Sequence, residues 1–295
     1  GAMDGERAIR GRGGAARREM LLACGVSRTT LAGALASGVV ERPHRGVYAL
    51  PGASMPSVHA AIFRAGVTCL SACAEAGLPV LSPDGRSHLV VPRDRGLGKV
   101  GMRPAHDVRL HRVDGVAEGL GQAIDLAGAC TSAAHQLVLV DAALHTRTIV
   151  RRDVAAFIHT PQSRRAWLLD HMDARSESPL ETLTRVDLVQ VGLRVEPQVE
   201  VPGAGRVDLV VEGAVVIELD GWGYHGDASA FRRDRARDRV HAINGMPVLR
   251  YTYPDVIDSR HQVLLDVEAV LWRLGRLTPA LRNTLNRVHR RAASR

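Results

Sequence analysis

The stretch Arg206-Val207-Asp208-Leu209-Val210-Val211-Glu212-Gly213-Ala214-Val215-Val216-Ile217-Glu218-Leu219-Asp220-Gly221 decides how the C-terminal half of this chain is read. Two Val-rich runs of strand length flank a Glu-Gly turn, the pattern of a β-hairpin. Each run carries a carboxylate, which is costly in an apolar strand unless the charge is paired or coordinates a cation. Loop length then decides the chemistry. A two-residue loop pairs Val211 with Ala214, sets Asp208 opposite Ile217 and turns Glu218 to the other face. A three-residue loop of Glu212, Gly213 and Ala214 pairs Val211 with Val215 and brings Asp208 directly across from Glu218. Carboxylates converging in this way suit a hard divalent cation, Mg²⁺ or Mn²⁺. A metal reading therefore requires the longer loop, in which Gly213 takes the left-handed position.

Outward from the hairpin, Ser178-Pro179-Leu180-Glu181 opens a helix predicted to run to about Val191, and a strand is expected over Arg194 to Val199. Glu181, three residues after Ser178, also completes a capping box, so a structural reading stands beside a catalytic one. The order of Glu181, Asp208, Glu218-Leu219-Asp220-Gly221, His225, the Arg/Asp-rich helix Arg232 to Arg239 and the strand Val248-Leu249-Arg250-Tyr251 resembles the very-short-patch-repair-like branch of the PD-(D/E)XK nuclease superfamily, over roughly residues 176–272. The resemblance implies a mixed α/β, restriction-endonuclease-like core, a Mg²⁺ or Mn²⁺ site and hydrolysis of DNA phosphodiesters by nicking. It implies Asp208 and Glu218 as metal ligands with the Leu219 carbonyl, Glu181 holding metal-bound water, and His225 protonating the leaving oxygen. Asp220 stands where the superfamily more often has Lys. It can ligate metal or orient water, and a metal-acidified water reduces the need for a strong base.

Trp222 and Tyr224, set between glycines beside these acids, are candidates for stacking on bases. Arg233 and Arg237 are candidates for phosphate contact. Their alternation with Asp234 and Asp238 equally describes a salt-bridged helix face.

At the other end, Ala15 to Cys24 reads as a short helix, and Gly25-Val26-Ser27-Arg28-Thr29-Thr30-Leu31 as a turn, a Ser N-cap and a second helix stopped at Gly38. Short strands at Val39 to Glu41 and Gly46 to Leu50 flank a turn at Arg42-Pro43-His44-Arg45. Helix, turn, helix and hairpin make a winged helix-turn-helix, whose second helix enters the DNA major groove. Ser27, Arg28, Thr29 and Thr30 then face DNA, with Arg42 and Arg45 on the wing; the same pattern also serves protein contacts. The turn, the wing and the section after it resemble the AbiEi-like antitoxins of type IV toxin–antitoxin systems over about residues 15–160. That resemblance implies DNA binding and transcriptional autoregulation.

The domain reading is α+β throughout: residues 1–14 disordered or tag-like, 15–57 winged helix, 58–165 a middle α+β domain, 166–272 the nuclease-like core and 273–295 a basic tail. In the middle domain a helix is expected over Val58 to Gly77, strands at Ser87 to Val91 and Asp107 to His111, and helices around Gly121 to Ala129 and Ser132 to Ala143. Its histidines, His88, His106 and His111, read as isolated structural residues. Cys24, Cys69, Cys73 and Cys130 lack paired ligand spacing and read as reduced thiols.

Of the 39 basic residues 38 are Arg, which excludes lysine chemistry away from Lys99. Residues 166–272 carry 11 Arg against 18 acids, whereas residues 273–295 carry 7 Arg and no acid. Basic ends that suit a polyanion thus flank an acidic centre that suits a cation. No apolar run approaches membrane-spanning length, and the expectation is a cytoplasmic, nucleoid-associated bacterial protein with DNA as partner and no membrane association. Whether it pairs with itself or with another protein stays open. Two functions compete: a metal-dependent endonuclease positioned by its winged helix, and a non-catalytic DNA-binding regulator with an inactive nuclease fold.

Overall fold

The computed structural model describes residues 2–95, 107–114, 119–220, 228–279, 281–283 and 285, with side chains left undescribed at 2–4, 228–234 and 236. The chain divides into two compact units, Gly1–Ser132 with Arg152–Arg165, and Ala133–Arg151 with Ala166–Arg295.

The first unit begins with a complete winged helix: α1 (Ala2–Arg10), β1 (Ala15–Arg17), α2 (Arg18–Ala23), α3 (Arg28–Ala36), β2 (Glu41–His44) and β3 (Val47–Ala49). Residues 1–14, expected to be disordered, instead supply the first helix. Ile9 is fully buried with Leu21, Val26, Leu31, Ala34, Val40 and Tyr48, and each such aliphatic side chain contributes about 1.5–3 kcal/mol. The helix expected over Ala15 to Cys24 starts only at Arg18. Ala15 to Arg17 form a strand antiparallel to β3, giving the sheet order β1-β3-β2. The first hairpin strand, β2, begins at Glu41 rather than Val39, and the chain turns at Arg45-Gly46, with Gly46 at φ +77°. Pro43, lacking an N–H, sits on edge strand β2, where none is needed.

After β3 the chain enters α4 (Met55–Phe63), whose start is capped by the Ser54 hydroxyl accepting the Ser57 N–H. The long helix expected over Val58 to Gly77 is two, because β4 (Gly66–Val67) intervenes before α5 (Cys69–Glu75). Strands β5 (Ser87–Pro92) and β6 (Val108–Val113) pair in parallel, in the order β4-β5-β6, followed by α6 (Leu120–Ala127). The winged helix and these elements form one unit, and α7 (Ala133–His145), assigned above to the middle section, belongs to the second. Residues 152–165, which include most of α8 (Arg151–Ala155) and the start of α9 (Gln162–His171), return to the first unit, where the buried Asp125 carboxylate accepts the N–H groups of Ile158, His159 and Thr160.

In the second unit, α10 (Pro179–Gln190) precedes β7 (Val195–Val201), β8 (Gly205–Val211), β9 (Val215–Asp220), α11 (Ala228–Ile243) and β10 (Val248–Thr252). The sheet order is β10-β9-β8-β7, antiparallel except for the parallel β9–β10 pair created by the α11 crossover. Asp141 of α7 ties this unit together. Its carboxylate accepts Arg185 Nη2 at 2.7 Å, Thr182 Oγ1 at 2.8 Å and Asp173 N–H at 2.8 Å. The unit ends in α12 (Tyr253–Asp258) and α13 (Arg260–Arg273). Beyond α13, Leu281 and Leu285 of the basic tail are buried, and Arg282 lies 3.6 Å over the Trp272 ring.

Candidate functional site

Two surfaces carry the chemistry, one in each unit. In the first, the Ser27 hydroxyl accepts the Thr30 N–H at 3.0 Å and contacts Thr30 Oγ1 at 2.9 Å, so both hydroxyls are engaged in starting α3. Both hydroxyls therefore help to position the helix. Arg28 and Thr29 are exposed on its first turn, and Ala32, Gly33 and Ala36 continue the exposed face as side chains too small to hold a partner's backbone away. Residues 41–45 of the wing, including Arg42 and Arg45, are exposed as well.

The second surface is the acidic hairpin. Val211 pairs with Val215, Val210 with Val216 and Leu209 with Ile217, the register of the three-residue loop. Glu212 and Gly213 adopt φ +52° and +62° to close it. The pairing ends at Leu209–Ile217, and the same register continued by one residue sets Asp208 across from Glu218 on one face of the sheet. The Asp208 carboxylate accepts the Leu219 N–H at 2.7 Å. Burial pushes its carboxyl up to about 6, and the neighbouring charges of Glu181, Glu218 and Asp220 push the same way against the Leu219 hydrogen bond.

Glu181 is 4% exposed and its N–H donates to Ser178 Oγ at 3.2 Å, the Ser178 half of the expected capping box, while the Glu181 carboxylate turns away from the Ser178 N–H. Its own carboxylate accepts the Glu177 N–H and Gln198 Nε2, at 3.0 and 2.8 Å. Sequence reasoning missed Gln198, which interrupts β7 at φ +55° and whose buried Oε1 has no hydrogen-bond partner among the described residues. A polar residue with left-handed backbone inside a strand has no signature in strand periodicity. Glu218 accepts Arg237 Nη2 at 2.8 Å and Arg250 Nε at 2.9 Å, and Arg250 also holds Asp238. Arg237, read above as a phosphate contact, is therefore occupied by Glu218 and by the Arg206 carbonyl. His241 of α11 was also missed. It is 1% exposed, neither ring nitrogen has a partner among the described residues, and burial lowers its pKa. Asp220 is exposed at the end of β9. Trp222, Tyr224 and His225 lie outside the described residues, as does the Arg233 side chain.

A family model described as "Transcriptional regulator, AbiEi antitoxin" matches residues 6–51, from within α1 to the end of the wing. The match begins earlier than the resemblance drawn above and stops well short of residue 160. No curated protein matches the chain. Among the described residues no helix is long and apolar enough to cross a membrane.

Proposed function

We propose that this chain is a DNA-binding transcriptional regulator of the antitoxin type, which docks through α3 and the β2–β3 wing and acts on the nucleoid in the cytoplasm. The observation that carries this reading is coincidence: the matched residues 6–51 span the winged helix, including the α1 segment whose buried Ile9 completes it. Arg28 and Thr29 at the start of α3 meet base edges, while Arg42 and Arg45 hold the phosphate backbone across the adjacent groove. The capped first turn of α3 also presents its amide end to phosphate. Selection of bound duplexes from a random pool tests this reading. An enriched sequence motif that weakens at one position in Arg28→Ala supports it, and recovery of unenriched DNA with unchanged affinity in that variant refutes it.

A second reading, a metal-dependent DNA endonuclease with a PD-(D/E)XK-type core, is favoured by the state of Asp208. A carboxyl raised first by burial and then by three carboxylate neighbours is relieved by an added cation. With Gln198 Oε1 lacking a partner, the donor set is all oxygen, as Mg²⁺ or Mn²⁺ prefers. Asp208, Glu218 and the Leu219 carbonyl would hold the ion, which when bound supplies a more acidic water and offsets phosphate charge. Glu181 and Gln198 orient the opposite side of the site, and Asp220 faces solvent where DNA enters. Arg237 and Arg250 must yield part of Glu218 to the ion. Nicking of supercoiled plasmid by the parent with Mg²⁺ or Mn²⁺, lost in Asp208→Ala, supports this reading; shifted but intact plasmid leaves the regulator.

A further inference from the structure

Four potential metal ligands in the first unit, remote in sequence, converge on one point. Cys69 opens α5, His88 is in β5, His111 is in β6, and Cys130 follows α6. Their Sγ and ring-nitrogen atoms all lie within 4.8 Å of one another, and Cys69, His88 and His111 are buried. Among the described residues no other group of three or more His, Cys, Asp or Glu is gathered so tightly. His88 Nδ1 stands 3.2 Å from His111 Nε2, and Cys130 Sγ stands 3.7 Å from that same nitrogen. Zinc bonds of about 2.0–2.1 Å to nitrogen and about 2.3 Å to sulfur, set tetrahedrally, give edges of about 3.3 Å between nitrogens and about 3.6 Å between nitrogen and sulfur.

The surroundings orient the ligands. The Asp84 carboxylate is fixed by the Arg86 N–H at 3.1 Å and by its guanidinium at 2.6 Å, and stands 3.0 Å from His88 Nε2. With Nε2–H donated to Asp84, the neutral His88 ring turns the lone pair of Nδ1 toward His111 and the thiols, which is the carboxylate–histidine–metal arrangement. The Ser71 hydroxyl accepts the His88 N–H at 2.9 Å and ties β5 to the helix bearing Cys69. Cys69 itself holds φ +52°, a left-handed conformation unusual for a non-glycine residue and one that aims its Sγ at the cluster.

We propose that Cys69, His88, His111 and Cys130 form a closed, structural Zn²⁺ site that fastens the β5–β6 sheet to α5 and to the turn after α6. Two thiolates and two imidazoles in tetrahedral array are the donor set zinc takes, and four protein ligands leave no position for substrate. The site stabilises the unit that carries the winged helix and takes no part in the chemistry of the acidic hairpin.

Metal analysis of the purified full chain tests the assignment. The parent should hold about one zinc per chain, and Cys130→Ser and His111→Ala should lose most of it, while Cys24→Ser, at an exposed cysteine, keeps it. Cobalt exchange guards against misfolded variants: the parent refolded with Co²⁺ should show the intense visible bands and sulfur-to-cobalt charge transfer of a tetrahedral thiolate site, weakened in Cys130→Ser. Chelation should lower the unfolding transition seen by circular dichroism and leave the tryptophan-detected one unmoved, since Trp167, Trp222 and Trp272 all belong to the second unit. A folded parent that carries no zinc and gives no tetrahedral cobalt spectrum overturns the proposal, as does a Cys69–Cys130 disulfide in protein purified under reducing conditions.

Discussion

Replacing Asp141 by Ala removes the carboxylate that forms the ion pair with Arg185 in the interior of the second unit. Asp141 is fully buried and Arg185 5% exposed. Without the carboxylate, the guanidinium keeps only the His171 carbonyl at 2.6 Å, and the Thr182 hydroxyl and Asp173 N–H lose their acceptor. Breaking a buried pair from one side costs about 3–5 kcal/mol, a large share of the roughly 5–15 kcal/mol that holds a domain folded. With a urea dependence of about 2 kcal/mol per molar, the midpoint falls by on the order of 2 M. All three tryptophans lie in this unit, so urea unfolding followed by tryptophan fluorescence isolates its transition. The double change Asp141→Leu with Arg185→Met, which leaves no stranded charge, should recover much of the loss. A shift under about 1 kcal/mol in Asp141→Ala, or a double variant no better than the single, would refute this account of the interior.

Other outcomes follow from the same geometry. Ile9→Ala should destabilise the winged helix by about 2–4 kcal/mol, read by circular dichroism with the tryptophan signal unchanged. Asp125→Ala strands three backbone N–H groups at about 1–3 kcal/mol each and should accelerate amide exchange at Ile158, His159 and Thr160. The Asp208 carboxyl, at about 6 in the fold and about 3.9 unfolded, binds its proton more tightly when native, so this group's contribution to stability falls as pH rises from about 4 to about 6. Asp208→Asn should flatten that part of the thermal-melting profile. If the hairpin takes a divalent ion, Mg²⁺ should raise the parent's melting temperature at about pH 8, where Asp208 is charged, and have no effect at about pH 5.

How much of this was legible depended on whether the deciding contact was local. The two Val-rich runs and Gly213 were enough to place the hairpin and reduce its register to two loop lengths, of which the metal reading required the three-residue one, because hairpin register is set within a few residues. Ser178-Pro179 announced α10 for the same reason. The start of the winged helix was illegible: glycines at 5, 11, 13 and 14 among arginines look like coil, and Ala15 to Arg17 looks helical until β3 offers an edge to pair with. Ile9 has meaning only against Leu21 and Leu31. The Cys/His cluster escaped because short-spacing rules describe ligands on one turn or knuckle, whereas β5 and β6 carry His88 and His111 together from 23 residues apart. In the acidic hairpin the carboxylates were visible as residues, but their engagement by Arg237 and Arg250 depended on the α11 crossover and the parallel β10.

The central claim, that α3 and the wing are the DNA-binding surface, is tested most directly by fluorescence anisotropy of the full chain on duplex DNA across a salt series. If Arg28 reads a base edge while Arg42 and Arg45 each meet a phosphate, the triple alanine variant should bind more weakly and lose about 2 from the slope of log affinity against log salt. A triple variant that binds as tightly as the parent, with the same slope, would contradict the claim.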